Sequence, residues 1–233
     1  MGSRRYTLIS NEPIGPDMAK LVMGPVDEHQ LTFKPGQFVN LGIMEGGECV
    51  AKRPYSIASS PENAELEFCI KNIGGQFTSR LPGLEPGQEF SVDGPFGPFQ
   101  YDENKPTAFI CGGVGITPAM SAMRFADGKA SEKLVVFYCA RSLEEMPYHQ
   151  EIFDIEGRNL HIKVIPTLTR EVPKNWRGRA GRFAEKDYLE VLHDLSGYRY
   201  MACGPVAMVD AVKEVLEAKG VTGGQAVYEG WKI

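Results

Sequence analysis

Apolar positions follow two different rhythms along this chain. Up to about residue 100 they come in short runs, some alternating with polar residues, at Gln37–Ile43, Leu66–Ile70 and Phe90–Val92. Turn pairs punctuate them: Pro35-Gly36, Gly46-Gly47, Ser60-Pro61, Gly74-Gly75, Pro82-Gly83, Pro86-Gly87 and Gly94-Pro95. Glycine reaches backbone angles that other residues avoid and proline fixes its own, so such pairs end strands. Short strands between regular turns predict an antiparallel β-barrel or sandwich.

Beyond about Lys105 the runs lengthen and alternate in type. Thr107–Cys111, Leu134–Cys139, Leu160–Leu168, Arg199–Cys203 and Gln225–Glu229 read as strands, several of them continuously apolar. Ala119–Ala126, Glu144–Ile155, Ala184–Leu195 and Val206–Lys219 read as helices; in the last, Val209, Val212 and Leu216 share a core-facing side. Alternating strands and helices with buried strands predict an α/β domain built on a parallel sheet. The change falls in the charged segment Tyr101–Pro106, read as a linker, which divides the chain into residues 1–103 and 104–233.

Composition narrows the field. The 233 residues are 42% hydrophobic and 24% charged, as in ordinary globular proteins. A formal net charge of -5 argues against a nucleic-acid partner, though not against a local basic site for a phosphate. No apolar run reaches the length of a membrane span, and the start Met1–Tyr6 lacks the apolar stretch of a signal peptide. The five cysteines are scattered, with none at C-x-x-C spacing. This predicts neither zinc nor an iron–sulfur cluster, no metal site, and a reducing, cytoplasmic setting. The four histidines give no signal for a nucleophilic triad.

The clearest local chemistry lies in Cys111-Gly112-Gly113-Val114-Gly115-Ile116-Thr117-Pro118, where a strand gives way to a helix. Glycines let backbone amides approach a pyrophosphate, and a helix N-terminus offers partial positive charge. Thr117 is placed to cap that helix and Pro118 suits its first turn. The same sequence also serves as a plain tight connection. A dinucleotide fold usually places an acidic residue after its second strand; here Cys139-Ala140-Arg141-Ser142 follows instead, a departure from the dehydrogenase fingerprint.

The loop gains meaning beside Arg53-Pro54-Tyr55-Ser56 in the other half. With Lys34–Phe38, Gly74-Gly75-Gln76-Phe77-Thr78, Gly94–Gly97, Cys203-Gly204-Pro205 and Tyr228–Trp231, these segments occur in the order found in the ferredoxin–NADP reductase superfamily, which the chain resembles over nearly its whole length. The resemblance implies an N-terminal flavin-binding β-barrel (1–103), a C-terminal NAD(P)-binding α/β domain (104–233), and FAD in preference to FMN. It implies hydride transfer between NAD(P)H and flavin N5, with electrons then exchanged with a separate acceptor. Ferredoxin, flavodoxin or another electron-transfer protein is the favoured partner class; the alternatives are a subunit of a larger complex, a free flavin or quinone reductase, and a flavin-binding module without turnover.

Residue by residue, Arg53 and the amides of Gly74–Thr78 would serve a flavin diphosphate, with the Thr78 hydroxyl capping a phosphate. Tyr55 would lie flat against the flavin and Ser56 would donate near N5. Each also has a structural reading: surface cation, core aromatic, strand filler. Cys203 would border the nicotinamide with a positional rather than chemical role. Glu229 is implied in proton supply and Trp231 in covering the flavin or its adenine, although both also fit an ordinary strand end. A 2′-phosphate needs cations, and Arg141, Arg170 (in Thr169-Arg170-Glu171) and Arg182 are the candidates, which favours NADPH over NADH.

Overall fold

The computed structural model describes residues 3–27 and 30–231. Met1, Gly2 and His29, which entered the reading of the leader and the histidines, lie outside the described residues. In the first half, β1 (Arg4–Gly15), β2 (Met18–Pro25), β3 (Phe38–Glu45), β4 (Glu48–Ser56), β5 (Leu66–Lys71) and β6 (Glu89–Phe96) form one sheet in the order β4-β3-β6-β1-β2-β5. All its pairings are antiparallel. Just past β4, the Ala58 amide donates to the Glu67 carbonyl on β5 at 2.7 Å, drawing the two edges together into a barrel. The interior follows a period of two: Tyr6 and Leu8, Leu21 and Met23, Val39, Leu41 and Ile43, Leu66, Phe68 and Ile70 are all buried. Strands β1 and β2 escape the sequence pattern because irregular register at Leu8/Ser10 and Pro13/Gly15 breaks the alternation.

The second half carries β7 (Thr107–Gly112), β8 (Leu134–Ala140), β9 (Ile162–Leu168), β10 (Arg179–Ala180), β11 (Arg199–Pro205) and β12 (Ala226–Trp231) in the order β10-β9-β8-β7-β11-β12. Every pairing is parallel. Helices α1 (Thr117–Ala126), α2 (His149–Arg158), α3 (Glu185–Leu192) and α4 (Val206–Ala218) connect these strands. All six positions of β7 are buried, as expected of a strand covered on both faces. From β7 the chain winds first towards β8 and later returns on the other side as β11. The C-terminal ends of β7 and β11 therefore form the switch point where such sheets open a crevice.

Two expectations change. The helix expected over Glu144–Ile155 begins only at His149, because Pro147 cannot donate within a helix and Tyr148 sits at φ 62°, outside the helical region. The segment read as a linker starts packed and ends exposed: Tyr101 is buried, its amide donates to the Pro35 carbonyl at 2.9 Å, and its ring lies 6.5 Å from that of Phe109, whereas Asn104 and Lys105 are exposed. With Ala58, Cys69 and Phe99, Tyr101 joins Met120, Met123 and Tyr138 in one apolar core shared by both halves. Among the described residues no helix is long and apolar enough to cross a membrane.

Inside the barrel the buried Tyr6 hydroxyl accepts the Leu31 amide at 3.1 Å. Tyr6→Phe removes that acceptor and should lower stability by about 1–3 kcal/mol, read as a reduced urea midpoint at unchanged m-value. An unmoved midpoint would mean that the Leu31 amide is satisfied by another group.

Candidate functional site

On the barrel side, β4 delivers Arg53, Tyr55 and Ser56 at its C-terminal end. Arg53 is exposed, makes no ion pair among the described residues, and lies beside the Gly74–Gly75 loop; a Cβ added at Gly75 would sit 3.8 Å from its Nη2. The loop is shaped from within. Thr78 Oγ1 accepts the amides of Ile73 (3.2 Å) and Gly75 (3.0 Å), Asn72 Oδ1 accepts that of Gly74 (3.0 Å), and Gln76 Nε2 donates to the Val50 carbonyl on β4 (2.9 Å). Thr78 is buried, its Oγ1 accepting two loop amides while its hydroxyl donates to the Gly75 carbonyl at 3.5 Å. Phe77 is likewise buried and backs Tyr55, with ring centroids 5.0 Å apart. Tyr55 is half-buried, and burial raises its hydroxyl pKa well above the usual value. Pro54 is exposed, and Ser56 is half-buried with no hydrogen bond to its hydroxyl among the described residues.

On the sheet side, β7 ends at Gly112, a 3-10 turn spans Gly113–Ile116, and α1 starts at once. Ile116, not Thr117, takes the cap position, and the Thr117 hydroxyl donates to the Val114 carbonyl at 2.6 Å. Thr117 and Pro118 are buried beneath the turn. Glycine is required where the two turns meet: a Cβ at Gly115 would collide with the Cys203 carbonyl and lie 2.8 Å from Trp231 Cη2. A Cβ at Gly112 would come within 3.0 Å of Pro205 Cδ, and one at Gly204 within 3.2 Å of the Gly112 nitrogen. Cys203 pairs in register with Cys111 on one side and Glu229 on the other. It is 2% exposed and burial drives its thiol pKa far up, so the sulfur is a neutral packing group.

The two sides meet at Glu229. Its Oε1 lies 3.5 Å from the Cβ position of Gly97, where the Phe38 ring also packs; Phe38 in turn contacts Phe96 at 5.9 Å. Burial without a compensating cation pushes the Glu229 carboxyl up to about 7.

A cavity of about 400 Å³ opens at the switch point. Gly112, Gly113 and Pro205 line it, as do Arg141, Arg170, Arg182 and Trp231, so the three candidate cations are brought together. Their charges are not equivalent. Arg141 donates to Glu145 Oε2 at 2.6 Å, and Lys71 Nζ lies 3.5 Å from the same oxygen, whereas Arg170 and Arg182 make no ion pair among the described residues. The Arg170 amide donates to the Arg141 carbonyl at 3.0 Å, which keeps the two segments side by side. Arg53, Tyr55 and Ser56 lie outside this cavity, to which the barrel contributes Lys71 and Ile73. Sequence reasoning missed Lys71, Glu145 and Met208 in the lining. Glu145 stands four residues after Arg141, a spacing that suits ion pairing on a turn; Lys71 has no local signal, since a strand end is brought here only by the fold.

Residues 5–101 match the family model of an oxidoreductase FAD-binding domain, and residues 109–214 that of an oxidoreductase NAD-binding domain. Ferredoxin–NADP reductase B of Sorangium cellulosum is 31% identical over 228 residues, covering 93% of this chain and 91% of that one. The glycine betaine monooxygenase reductase subunit of Pseudomonas aeruginosa is 34% identical over 197 residues, which is 81% of this chain but 53% of that protein, so the chain spans about half its length. The flavohem-like FAD/NAD-binding domain of nitric oxide dioxygenase from Vibrio cholerae superposes with a TM-score of 0.87 over the whole of both chains at 20% identity. A barrel with a strand-borne Arg-x-Tyr-Ser, a glycine switch-point turn and these matches across both halves lead to one assignment: the chain belongs to the ferredoxin–NADP reductase superfamily.

Proposed function

We propose that this protein is an NAD(P)H-dependent flavoprotein reductase that holds FAD on its barrel and a nicotinamide nucleotide on its parallel sheet, and exchanges electrons with a separate acceptor. The observation that carries the proposal is the meeting of the two halves at Glu229, whose Oε1 lies 3.5 Å from the Cβ position of Gly97 and whose strand pairs in register with Cys203-Gly204-Pro205. When bound, the two cofactors supply the redox chemistry, a hydride passing between nicotinamide and flavin.

The chain supplies positions and charges. Arg53 and the amides of the Gly74–Gln76 loop provide cationic and N–H donors suited to a diphosphate. Tyr55, backed by Phe77, is a flat wall for a ring, and Ser56 has a hydroxyl free to donate. The turn Gly112–Gly115 leads into α1, whose N-terminal end suits a second pyrophosphate. Arg170 and Arg182, the cavity's unpaired cations, support a preference for NADPH over NADH. Glu229 holds a proton at the junction, with Trp231 beside the same turn as a cover. We place the boundary between the two functional halves near residue 103.

Two relatives bear on the acceptor. One is named as a reductase subunit of a monooxygenase, the other as a ferredoxin–NADP reductase. Both suit a protein acceptor of the ferredoxin or flavodoxin kind, or an oxygenase component. Turnover that requires such a protein supports this reading; equal turnover with free flavin or quinone alone replaces it with a self-contained reductase.

Anaerobic mixing of the flavin-loaded protein with NADPH and with NADH tests the central proposal: at least one should bleach the flavin absorbance, and bleaching by neither refutes it. The preference is tested alongside, since Arg170→Ala should raise KM for NADPH several-fold more than for NADH. Arg53→Ala should weaken flavin binding by about 1.5–3 kcal/mol, through loss of a charge-assisted contact, measured by flavin content after gel filtration. Undiminished stoichiometric flavin would remove Arg53 from the diphosphate site. For Glu229, the folded carboxyl keeps its proton up to about pH 7, whereas the unfolded one releases it near 4.5. The unfolded state then binds fewer protons in that window, so stability should fall as pH rises from about 4.5 to about 7 and level off above. Glu229→Gln should flatten that part of the chemical-denaturation profile.

A further inference from the structure

One helix joins the two halves of the site. α1 begins directly after the turn that packs on the Cys203 carbonyl, and its last turn carries Arg124, whose side chain is 17% exposed. Nε and Nη2 of Arg124 donate to the two carboxylate oxygens of Glu151 on α2, at 2.6 and 2.8 Å. Nη1 reaches into the barrel half, donating to Glu67 Oε1 at 2.9 Å and to the Ala58 carbonyl at 3.0 Å. The Tyr148 hydroxyl donates to the same Glu67 oxygen at 2.8 Å, and its ring lies 5.3 Å from the guanidinium. One turn earlier on α1, Ser121 Oγ donates to the Ser59 carbonyl at 2.7 Å. Ala58 and Ser59 are the second and third residues after Ser56, the last of β4.

Arg124 therefore ties the end of the flavin-side strand to the helix that leads from the nicotinamide-side turn. From Thr117 to Arg124 the helix is a rod of roughly 10 Å, at 1.5 Å per residue. We propose that Arg124 is a positioning residue that sets the separation and register of the two cofactor sites, and so the rate of hydride transfer, without touching either cofactor. This rests on the proposed reduction across the two halves. The planar fork of arginine suits such a role, because it bonds two carboxylates and a carbonyl in fixed directions, which a lysine ammonium on a flexible stem cannot do. The surrounding charges make removal disruptive rather than neutral. Glu67 and Glu151 both face the guanidinium, the Tyr148 hydroxyl faces Glu67, and Lys20 of β2 lies within range but is itself paired with Glu12 at 2.8 Å. Without Arg124 the carboxylates lose their partner at a packed junction, and the seat of α1 on residues 58 and 59 loosens.

The test uses the flavin-loaded full chain with Arg124→Lys, Arg124→Met and Ser121→Ala. In anaerobic stopped-flow at saturating nicotinamide, the limiting rate of flavin bleaching should fall on the order of ten- to a hundredfold in Arg124→Met, the penalty of about 1 Å of misplacement. Arg124→Lys and Ser121→Ala should show smaller losses. The dissociation constant for the nicotinamide, taken from the concentration dependence, should stay within about twofold. A second readout needs no turnover: amide hydrogen exchange in residues 57–60 and in α1, measured without nicotinamide, should quicken in the same rank order. Variants that keep their flavin and show an unchanged limiting rate overturn the proposal, as does a loss confined to nicotinamide affinity or flavin content. Should Arg124→Met fail to fold, the lysine and Ser121 variants decide by the same criteria. A wild-type flavin that neither nicotinamide bleaches defeats the functional reading itself; normal wild-type bleaching beside an unaffected Arg124→Lys defeats only this inference.

Discussion

Two halves that must bring bound rings together are only as effective as the junction between them is rigid. Small domains joined within a chain usually meet over a modest, polar surface and move against each other. Here the junction is a continuation of the core. Ala58 and Cys69 of the barrel, Phe99 and Tyr101 of the connecting segment, and Met120, Met123 and Tyr138 of the α/β half pack as one buried set. Burial of apolar area is non-directional, so this core can hold the halves together without dictating their angle.

Direction comes from the polar bonds set into that core. Burying most of the Arg124–Glu67 pair, with Glu151 half-exposed at its edge, costs desolvation that the mutual attraction only partly offsets, so the cluster contributes little net stability. What it contributes is selectivity among arrangements. An alternative seat of α1 leaves a guanidinium, two carboxylates and the carbonyls of Ala58 and Ser59 short of partners, each at a penalty. The left-handed backbone at Tyr148 belongs to the same device: it ends the loop from β8 and turns the ring and hydroxyl towards Glu67. The same logic explains why the glycines cluster where they do. Gly112, Gly115 and Gly204 let two turns from different strands close upon each other, fixing Cys203 by its backbone while its sulfur stays inert.

Much of this architecture is legible in the sequence, and the illegible parts have a common cause. Fully buried strands such as Thr107–Gly112 announce themselves as unbroken apolar runs, and the segments from Arg53 to Trp231 carry the family order. What the sequence does not display is how polar residues inside glycine-rich turns are bonded. The Thr117 hydroxyl donates to the Val114 carbonyl of its own turn, and Thr78 Oγ1 accepts the amides of Ile73 and Gly75. Phe77 next to Thr78 points into the barrel because β4 needs backing there. Arg124 is silent in the sequence for another reason: its partners stand 27 to 66 positions away, and no local spacing marks them.

Electrostatics in the cavity show how far neighbours can change the meaning of a motif. Read along the chain, Arg141, Arg170 and Arg182 are three equal cations. Read in space, Arg141 and Lys71 both lean on Glu145, so one carboxylate engages the cation that stands where a dinucleotide fold usually places an acidic residue. A ligand phosphate approaching Arg141 would have to displace a short ion pair and leave Glu145 exposed to its own negative charge, while the same phosphate near Arg170 or Arg182 meets no such competitor. Under the proposed nicotinamide binding, the cation count of the sequence overstates what this cavity offers a phosphate, and the proposed choice between the nucleotides falls on Arg170 and Arg182.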